Sequence, residues 1–230
     1  STNAQQPRIV DAGVIEQGNG KPAGYFNGVN NLRCFTPTPF PITGFSGFTA
    51  NVVAKWTTTG TTASSSQTLI DNNFNGTTQG FVIRDRPDLA AKPASFGITV
   101  SPGTLSTVSD NTQTGNGTTR ILTFGADNTT VSGFKEGTAM PTSLITGTNY
   151  NLQTTMVIGA RWNNGTVINR LTGHISEIII LPVAPSCSTR YLEDNQSYYF
   201  NITYDNSSQP SVEYAQNYTC INTPYTRNYA

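Results

Sequence analysis

The sequence HISEIIILPVAPSCSTRYLEDNQSYYFNI, residues 174–202, carries the most informative local pattern of the chain. Its first part, 174–181, ends in four consecutive large aliphatic residues and predicts a buried strand. Pro182 and Pro185 stop this strand because proline has no N–H to donate to a sheet. Ser188 is then predicted to cap a short helix. Helical spacing predicts the buried face of that helix: Tyr191, Leu192, Asn195, Tyr198, Tyr199 and Ile202.

Elsewhere the chain is dominated by strand and turn patterns. Alternate residues are apolar in a strong strand from Phe48 to Trp56, and 67–70 and 80–84 are predicted to form a hairpin. The turn Asn163-Asn164-Gly165 predicts a second hairpin, between 156–162 and 166–171. The Ser/Thr/Gly-rich segment before Thr119 is expected to be a loop. About ten strands without an alternating β–α pattern predict an all-β fold of two antiparallel sheets packed face to face, with one short C-terminal helix.

Composition indicates an extracellular β protein. Of the 230 residues only 11% are charged, the formal net charge is zero, and 36 threonines and 23 asparagines supply the polar surface. Threonine favours exposed strand faces and asparagine favours turns. A neutral surface argues against nucleic acid or an anionic membrane as partner, because both require a basic face. The sequence contains no long apolar segment and no secretory signal, so we expect no membrane insertion, and either a mature secreted product or an excised fragment.

Several segments in order resemble the concanavalin A-like, laminin-G-like jelly roll. The opening segments are QPRIV (6–10), GVI (13–15), NGKPA (19–23) and FNG (26–28), and they look most like those of Bacteroidota secreted and cell-surface proteins. The closing strand and helix carry the same resemblance through Gly173, Ile175, Glu177, Ile178 to Ile180, Leu192, Glu193, Phe200 and Ile202. The resemblance implies a jelly-roll domain over residues 1–202. Residues 203–230 are then expected to be a tail, a linker or the start of a following β domain.

The fold that this resemblance implies hosts lectins, glucanases and spacer modules, so function must come from the site. Retaining glycosidases need two carboxylates about 5–5.5 Å apart. Glu177 is the only acid on its strand, and Asp85 and Asp88 are expected in a solvated loop. His174 is the only histidine, with no spacing that indicates a catalytic triad. We therefore predict that the chain is not an enzyme.

The main functional hypothesis is a non-enzymatic module for adhesion, glycan contact or surface assembly, secreted or at the cell surface. A carbohydrate-active enzyme or its carbohydrate-binding domain is the first alternative. The second alternative is a subunit of an extracellular filament or surface complex held by its C-terminal tail. The expected partners are a glycan or a surface protein, or other copies of the chain or neighbouring domains.

Two sets of residues are candidates for ligand binding. Trp162, with Asn163 and Asn164 beside it, is the expected glycan-stacking residue because sugar C–H faces pack on aromatic rings. Trp56 lies in phase with a core face and is expected to be buried. Asp71, Asn73 and Asn75 supply oxygen ligands of the type that calcium accepts, and the alternative is an Asx-rich hairpin turn. Asp127 with Asn128 is a second calcium candidate. In the resemblance, Asn27 and Asn30 replace residues that are usually acidic, which would weaken a calcium site there.

The chain has three cysteines, so at least one cannot be paired within the chain. Cys187 and Cys220 lie closest in sequence, and a disulfide between them would hold the C-terminal tail. Whether this bridge forms stays open at the level of sequence.

Overall fold

The computed structural model describes residues 6–35, 47–72, 80–100, 104–110, 112, 114–127, 129–145, 155–163, 165–185 and 187–203. These residues form nineteen strands, a 3-10 turn at Ala63–Ser65 and one α-helix. The strands are β1 (Val10–Asp11), β2 (Val14–Ile15), β3 (Gln17–Gly18), β4 (Lys21–Pro22), β5 (Gly24–Asn27), β6 (Leu32–Phe35), β7 (Gly47–Thr57), β8 (Thr68–Asp71), β9 (Gly80–Asp85), β10 (Ala94–Val100), β11 (Thr104–Ser109), β12 (Asn116–Asp127), β13 (Thr130–Lys135), β14 (Thr138–Ala139), β15 (Ser143–Leu144), β16 (Thr155–Ile158), β17 (Arg161–Asn163), β18 (Thr166–Ile168) and β19 (Thr172–Leu181). The helix is α1 (Cys187–Phe200).

Two large antiparallel sheets form the domain. The six-stranded sheet has the order β11-β10-β9-β8-β16-β6, and the seven-stranded sheet has the order β14-β13-β12-β7-β19-β5, with β15 also pairing with β13. This arrangement confirms the predicted all-β jelly-roll sandwich with a single C-terminal helix. Within the described chain the strands are more numerous than predicted. The expected loop before Thr119 is wrong, because it contains β11 and the start of β12, where Ser and Thr suit a half-exposed sheet position.

The core lies between the sheets and is rich in phenylalanine. The predicted inward face of β7 is confirmed, with Phe48, Ala50, Val52, Ala54 and Trp56 all buried. The rings of Phe48, Phe81 and Phe96 contact one another with centroids 5.2–5.9 Å apart. Fully burying one such side chain stabilises the fold by about 1.5–3 kcal/mol. This packing fixes the sheet on which the candidate site is built.

Helix α1 covers the outer face of the seven-stranded sheet. The helix itself was correctly predicted, but its predicted buried face is wrong for the tyrosines: Tyr191, Tyr198 and Tyr199 are exposed, and Tyr198 keeps 68% of its surface. Ile202, from the same predicted face, does pack against a buried cluster that includes Phe200. The residues that the helix buries are mostly polar: Thr189, Glu193, Gln196, Ser197 and Phe200. The helix begins at Cys187, one residue before the predicted cap at Ser188, and the capping role of Ser188 stays a prediction.

The polar sheet surface beneath α1 explains this orientation. Gln196 Nε2 donates to Asn51 Oδ1 and to Glu177 Oε2, each at 2.6 Å, and Asn51 Nδ2 donates to Thr123 Oγ1 at 2.8 Å. Buried amides and carboxylates need such partners, since an unsatisfied polar group costs about 1–3 kcal/mol. The face of the helix that satisfies the sheet is therefore the buried one.

Hydrogen bonds and packing attach the C-terminal end of α1 to the domain. Asn201 adopts a left-handed conformation with φ 50°, and the Ile202 N–H donates to the Ser197 carbonyl at 2.8 Å, which closes the helix. The side-chain amide of Asn19 donates to the Phe200 carbonyl, and Phe200 packs against Val53 from β7. The predicted domain end at residue 202 stays a prediction, because 204–230 lie outside the described residues.

Candidate functional site

The candidate site is built around the hairpin of β17 and β18. Its register pairs Trp162 with Val167 and Asn163 with Thr166, as the Asn-Gly turn predicts. Gly165 has φ 89°, a value that glycine adopts without the strain other residues would suffer. One part of the prediction is wrong: residues 156–158 do not continue into the hairpin but form β16 in the six-stranded sheet. Gly159, with φ 75°, separates the two elements by turning the chain.

Hydrogen bonds hold the hairpin across β8. The Gly159 N–H donates to the Leu69 carbonyl at 2.9 Å, and the Thr68 N–H donates to the Asn169 carbonyl at 3.0 Å. At the other end of β8, Asp71 Oδ2 accepts the backbone N–H of Trp162 at 2.9 Å. Because β8 is a central strand of the sheet, these contacts fix the position of the hairpin.

Beside this hairpin, one row of side chains in the six-stranded sheet points away from the core. In the register Arg33 is opposite Val157, Val157 is opposite Asp71, and Asp71 is opposite Val82. Their strand neighbours Met156, Ile70 and Ile83 belong to the core, and successive side chains point to opposite faces. The row from Arg33 to Val82 therefore lies on the outer face of the sheet.

Arg33 and Trp162 contact each other beside this row of side chains. The Arg33 Cζ atom lies 3.5 Å from the centroid of the Trp162 ring, which is a cation–π contact. Arg33 is exposed, whereas Trp162 and Asn163 are partly buried. The part of Arg33 that is removed from water lowers the pKa of its guanidinium from the ordinary value. The contact holds a planar guanidinium, with its several N–H donors, over one face of the aromatic ring.

Arg84 lies two residues after Val82 on β9 and faces the same side, opposite Thr68 on β8. Burial lowers the pKa of Arg84, and the positive charges of Arg161 and Arg86 lower it further, against the opposing effects of Asp88 and Asp85. Within the described part of the chain no acceptor bonds the Arg84 guanidinium. We call Arg33, Arg84, Arg161 and Trp162 the hairpin site. No local sequence pattern indicates Arg33 or Arg84, because their proximity to the hairpin depends on the order of strands in the sheet.

The structure assigns a structural role to Asp71 of the predicted calcium set. Asp71 is fully buried and binds the Trp162 backbone, and the adjacent Asn72 Nδ2 donates to the Thr155 carbonyl at 3.0 Å. Asn73 and Asn75 lie outside the described residues, so the set of three is untested. Among the residues that are described, no three His, Cys, Asp or Glu side chains cluster in a manner suited to a metal ion.

The other acidic and amide candidates participate in turns. Asp127 Oδ1 accepts the N–H groups of Thr129 and Thr130, each at 2.6 Å. Burial alone would raise the pKa of Asp127, but its hydrogen bonds to both threonines outweigh burial and lower it. Asn27 Oδ1 accepts the N–H groups of Val29 and Asn30, so this amide closes the turn after β5. Asn128 and Asn164 lie outside the described residues.

The remaining residues singled out from the sequence lie away from the hairpin site. Glu177 is beneath α1, and His174 Nε2 lies 3.5 Å from Glu16 Oε2 near the edge strand β5. Asp88 binds Arg86 through both carboxylate oxygens, whereas Asp85, which was expected in a loop, is fully buried at the end of β9. That expectation was wrong because the hydroxyl of Thr58 and the N–H of Gln67 satisfy the Asp85 carboxylate. Cys220 lies outside the described residues, so the Cys187–Cys220 disulfide stays a prediction.

Known structures with the same fold were found by comparison. The botulinum neurotoxin serotype D binding domain aligns with a TM-score of 0.60 and 11% identity, covering 83% of this chain and 46% of that chain. Domains LG4-5 of the mouse laminin alpha1 chain align with a TM-score of 0.54 and 9% identity, covering 75% of this chain and 45% of that chain. The SAP-like pentraxin from Limulus polyphemus aligns with a TM-score of 0.53 and 14% identity, covering 70% of this chain and 76% of that chain. The chain spans about half the length of the botulinum and laminin chains.

These similarities define the fold as a concanavalin A-like, laminin-G-like jelly roll, as the sequence resemblance implied. No known family profile matches the sequence, and no curated protein matches it. A Bacteroidota origin therefore stays a prediction. In the described residues no helix is long and apolar enough to cross a membrane.

Proposed function

We propose that this chain is a non-enzymatic extracellular module, secreted or displayed at a cell surface, that contacts glycans through the hairpin site. The observation that carries the proposal is the stacking of Arg33 on Trp162 at the outer face of the six-stranded sheet. Arg33 covers one face of the Trp162 ring, so the C–H face of a sugar would pack on the other face while the guanidinium donates to the sugar hydroxyl groups. Both elements of saccharide recognition occur here within one contact.

The site is held rigidly, which favours binding. The bond from the Trp162 N–H to Asp71 and the bond from the Gly159 N–H to Leu69 attach the hairpin to a central strand. A ligand group that is already in its bound position loses less conformational freedom on binding. Asn163, next to Trp162 and partly buried, adds an amide that can both donate and accept.

The positions of the carboxylates support a non-enzymatic role. Glu177 is bonded to Gln196 beneath α1, and Asp71 is fully buried against the Trp162 backbone. A glycosidase needs an acid–base pair of carboxylates that flank an accessible bond. The binding domain of a botulinum neurotoxin shares this fold, and a contact role for this chain is consistent with that similarity.

A glycan array tests the proposal, with the full chain and two variants. Trp162→Ala removes the stacking surface, and Tyr198→Ala is the matched control because it removes an exposed aromatic ring from α1, on the other sheet. We expect Trp162→Ala to weaken the array signal about tenfold or more, since a lost aromatic contact of about 1.4 kcal/mol corresponds to a factor of ten. Tyr198→Ala should leave the signal unchanged. Absence of any glycan signal, or equal loss in both variants, would overturn the proposal.

Assembly with other chains is a second candidate function. Among the described strands, β6 pairs on one side only, with β16, and Leu32 on this edge is 44% exposed. An edge strand can accept a strand from another chain. We propose that residues 203–230 form a tail, linker or following domain that would supply such a strand. Deleting 203–230 and measuring the mass in solution by light scattering tests this; an assembly that survives the deletion argues against the tail.

We also retain two narrower proposals. Calcium would bind at Asp71, Asn73 and Asn75, and calcium would then raise the unfolding temperature relative to EDTA, since a ligand of the folded state stabilises it. An unchanged temperature at millimolar calcium counts against this site. A Cys187–Cys220 disulfide would appear as one linked peptide in a non-reducing digest, and two separate alkylated peptides would exclude it.

A further inference from the structure

Exposed aliphatic side chains are concentrated in one part of the fold. Between residues 9 and 32, six large aliphatic side chains are each 44–67% exposed, whereas only four more such residues are exposed in the rest of the described chain. Single exposed apolar residues are normal in soluble proteins, but a concentration of them marks an interaction surface. We call these six residues the edge patch: Ile9, Val10, Val14, Ile15, Val29 and Leu32.

The edge patch follows one side of the sandwich. Strand β5 ends the seven-stranded sheet and β6 ends the six-stranded sheet, and the turn that contains Val29 joins them. The main chain of Arg8 is hydrogen-bonded to that of Tyr25 on β5, and the Asn30 side-chain amide donates to the Gln6 carbonyl at 3.0 Å. The chain that leads into β1 therefore lies along this side and continues directly into the β1–β2 hairpin.

The β1–β2 hairpin presents apolar side chains on both of its faces. Val10 is directly opposite Ile15 in the register, so these two side chains share one face. Ile9 and Val14 belong to the other face, because successive side chains of a strand alternate. All four residues are at least half exposed, so core packing leaves both faces accessible to a second molecule.

Local contacts hold the β1–β2 hairpin in one conformation. Its two turn residues, 12–13, have φ 47° and 84°, the pair of positive values that a type I′ turn requires. Arg8 Nε donates to Glu16 Oε1 at 2.5 Å, and Arg8 Nη1 lies 3.2 Å from Asp11 Oδ2. Two-stranded hairpins are only marginally stable alone, so these contacts and the attachment to β5 maintain it. A surface that is already ordered loses less conformational freedom on association.

The charges beside the edge patch favour an uncharged partner. Arg8 is balanced by Asp11 and Glu16, and His174 Nε2 lies 3.5 Å from Glu16 Oε2. The formal net charge of the whole chain is zero, so two copies can approach without long-range repulsion. A two-fold interface places the same patch on both copies, and a neutral, apolar patch is complementary to itself.

The area of the edge patch matches what a stable dimer needs. Its six side chains leave about 500 Å² of apolar surface uncovered, within the range of the largest patches on monomers. Protein interfaces are about 60% non-polar, so this apolar surface corresponds to about 800 Å² per partner, the size of a standard interface.

We infer that the edge patch is the interface of a two-fold symmetric dimer of this chain. In the dimer, the aliphatic side chains of the β1–β2 hairpin pack against the edge patch of the second copy, which removes both sets from water. This inference does not depend on glycan binding at the hairpin site. It also assigns self-association to a surface that does not involve residues 203–230.

The test measures the mass of the full chain by analytical ultracentrifugation, from micromolar to millimolar concentration. Val14→Lys and Ile9→Lys each place a charge at an exposed position of the edge patch. Leu144→Lys is the matched control, because Leu144 is 75% exposed on β15, which pairs with β13 towards the opposite edge of the seven-stranded sheet. A chain without 203–230 is measured in parallel. Thermal unfolding of every variant separates loss of association from loss of fold.

We expect the mass to approach twice 24.7 kDa as the concentration rises. Each lysine variant of the edge patch should raise the dissociation constant about a hundredfold, since a tenfold loss occurs at each of two symmetric positions. Leu144→Lys and the shortened chain should dimerise as the wild type does. Added salt should leave the dimer intact, because the contact is apolar and not ionic.

A mass of one chain at every concentration would overturn the inference and leave the edge patch to a different protein or to a lipid surface. A dimer that ignores both Val14→Lys and Ile9→Lys would also overturn it. If such a dimer were lost on deletion of 203–230, the assembly would belong to the tail. Dissociation of the dimer by salt alone would show an ionic interface and contradict the role of the aliphatic side chains.

Discussion

Replacing Gly159 by alanine tests whether the hairpin is held as the structure indicates. A Cβ atom at position 159 would lie 2.1 Å from Cδ1 and 2.3 Å from Cε1 of Phe26. Phe26 is a buried core residue, so its ring cannot move away freely. Residue 159 also has φ 75°, a conformation that costs a residue with a Cβ about 1–2 kcal/mol. Forcing an extra methyl group into a packed core typically costs about 1–3 kcal/mol more.

The summed cost predicts a loss of about 2–5 kcal/mol in the free energy of unfolding of Gly159→Ala. Gly165→Ala is the matched control in the same hairpin, because it has φ 89° but no atom within 4 Å of the added Cβ. The control should lose only the free energy of unfolding that the positive φ costs, about 1–2 kcal/mol. Urea unfolding measures both values. Equal destabilisation of the two variants would refute the predicted clash with Phe26, whereas partial recovery in the Gly159→Ala/Phe26→Leu double variant would locate it there.

Two further predictions concern buried polar groups. Burial raises the pKa of Asp85 from its ordinary value of 3.8, although hydrogen bonds from Gln67 and Thr58 act against this increase. The contribution of Asp85 to the free energy of unfolding is therefore greatest below pH 3.8 and is lost as the pH rises through the folded-state pKa. The stability of the wild type relative to Asp85→Asn should therefore fall with rising pH in urea titrations, and the opposite slope would contradict the assignment. Gln196→Ala should cost about 1–3 kcal/mol because it leaves Asn51 and Glu177 without their donor, whereas the neighbouring exposed Asn195→Ala should change stability by less than about 0.5 kcal/mol. Equal values in urea unfolding for these two variants would show that the network under α1 contributes nothing.

Local patterns were sufficient to predict much of the sandwich. The alternation in β7 identified its inward face, and the Asn-Gly turn located the β17–β18 hairpin because turn chemistry depends on adjacent residues. The exposed face of α1 was not predictable in this way. Its tyrosines have the more apolar spacing, but the sheet beneath presents Asn51 and Glu177, which select Gln196 as the buried residue.

The hairpin site likewise combines a residue that the local sequence predicts with residues that only the tertiary structure brings close. Trp162 could be selected from sequence because it adjoins a turn. Arg33 and Arg84 could not, since they belong to β6 and β9, which meet the hairpin only through the order of the six-stranded sheet. The predicted role of Asp71 as a calcium ligand likewise did not anticipate its bond to the Trp162 backbone, a contact between distant parts of the chain.

Nuclear magnetic resonance titration tests glycan binding at the hairpin site most directly, and a chain of 24.7 kDa is within its range. The titrant is the glycan with the strongest array signal, added to the labelled full chain. We predict that the indole N–H signal of Trp162 and the backbone amides of Arg33, Arg84 and Arg161 shift together, while those of Tyr198 and the rest of α1 stay in place. Shifts confined to α1, with the Trp162 indole unmoved at saturation, would contradict a binding role for the hairpin site.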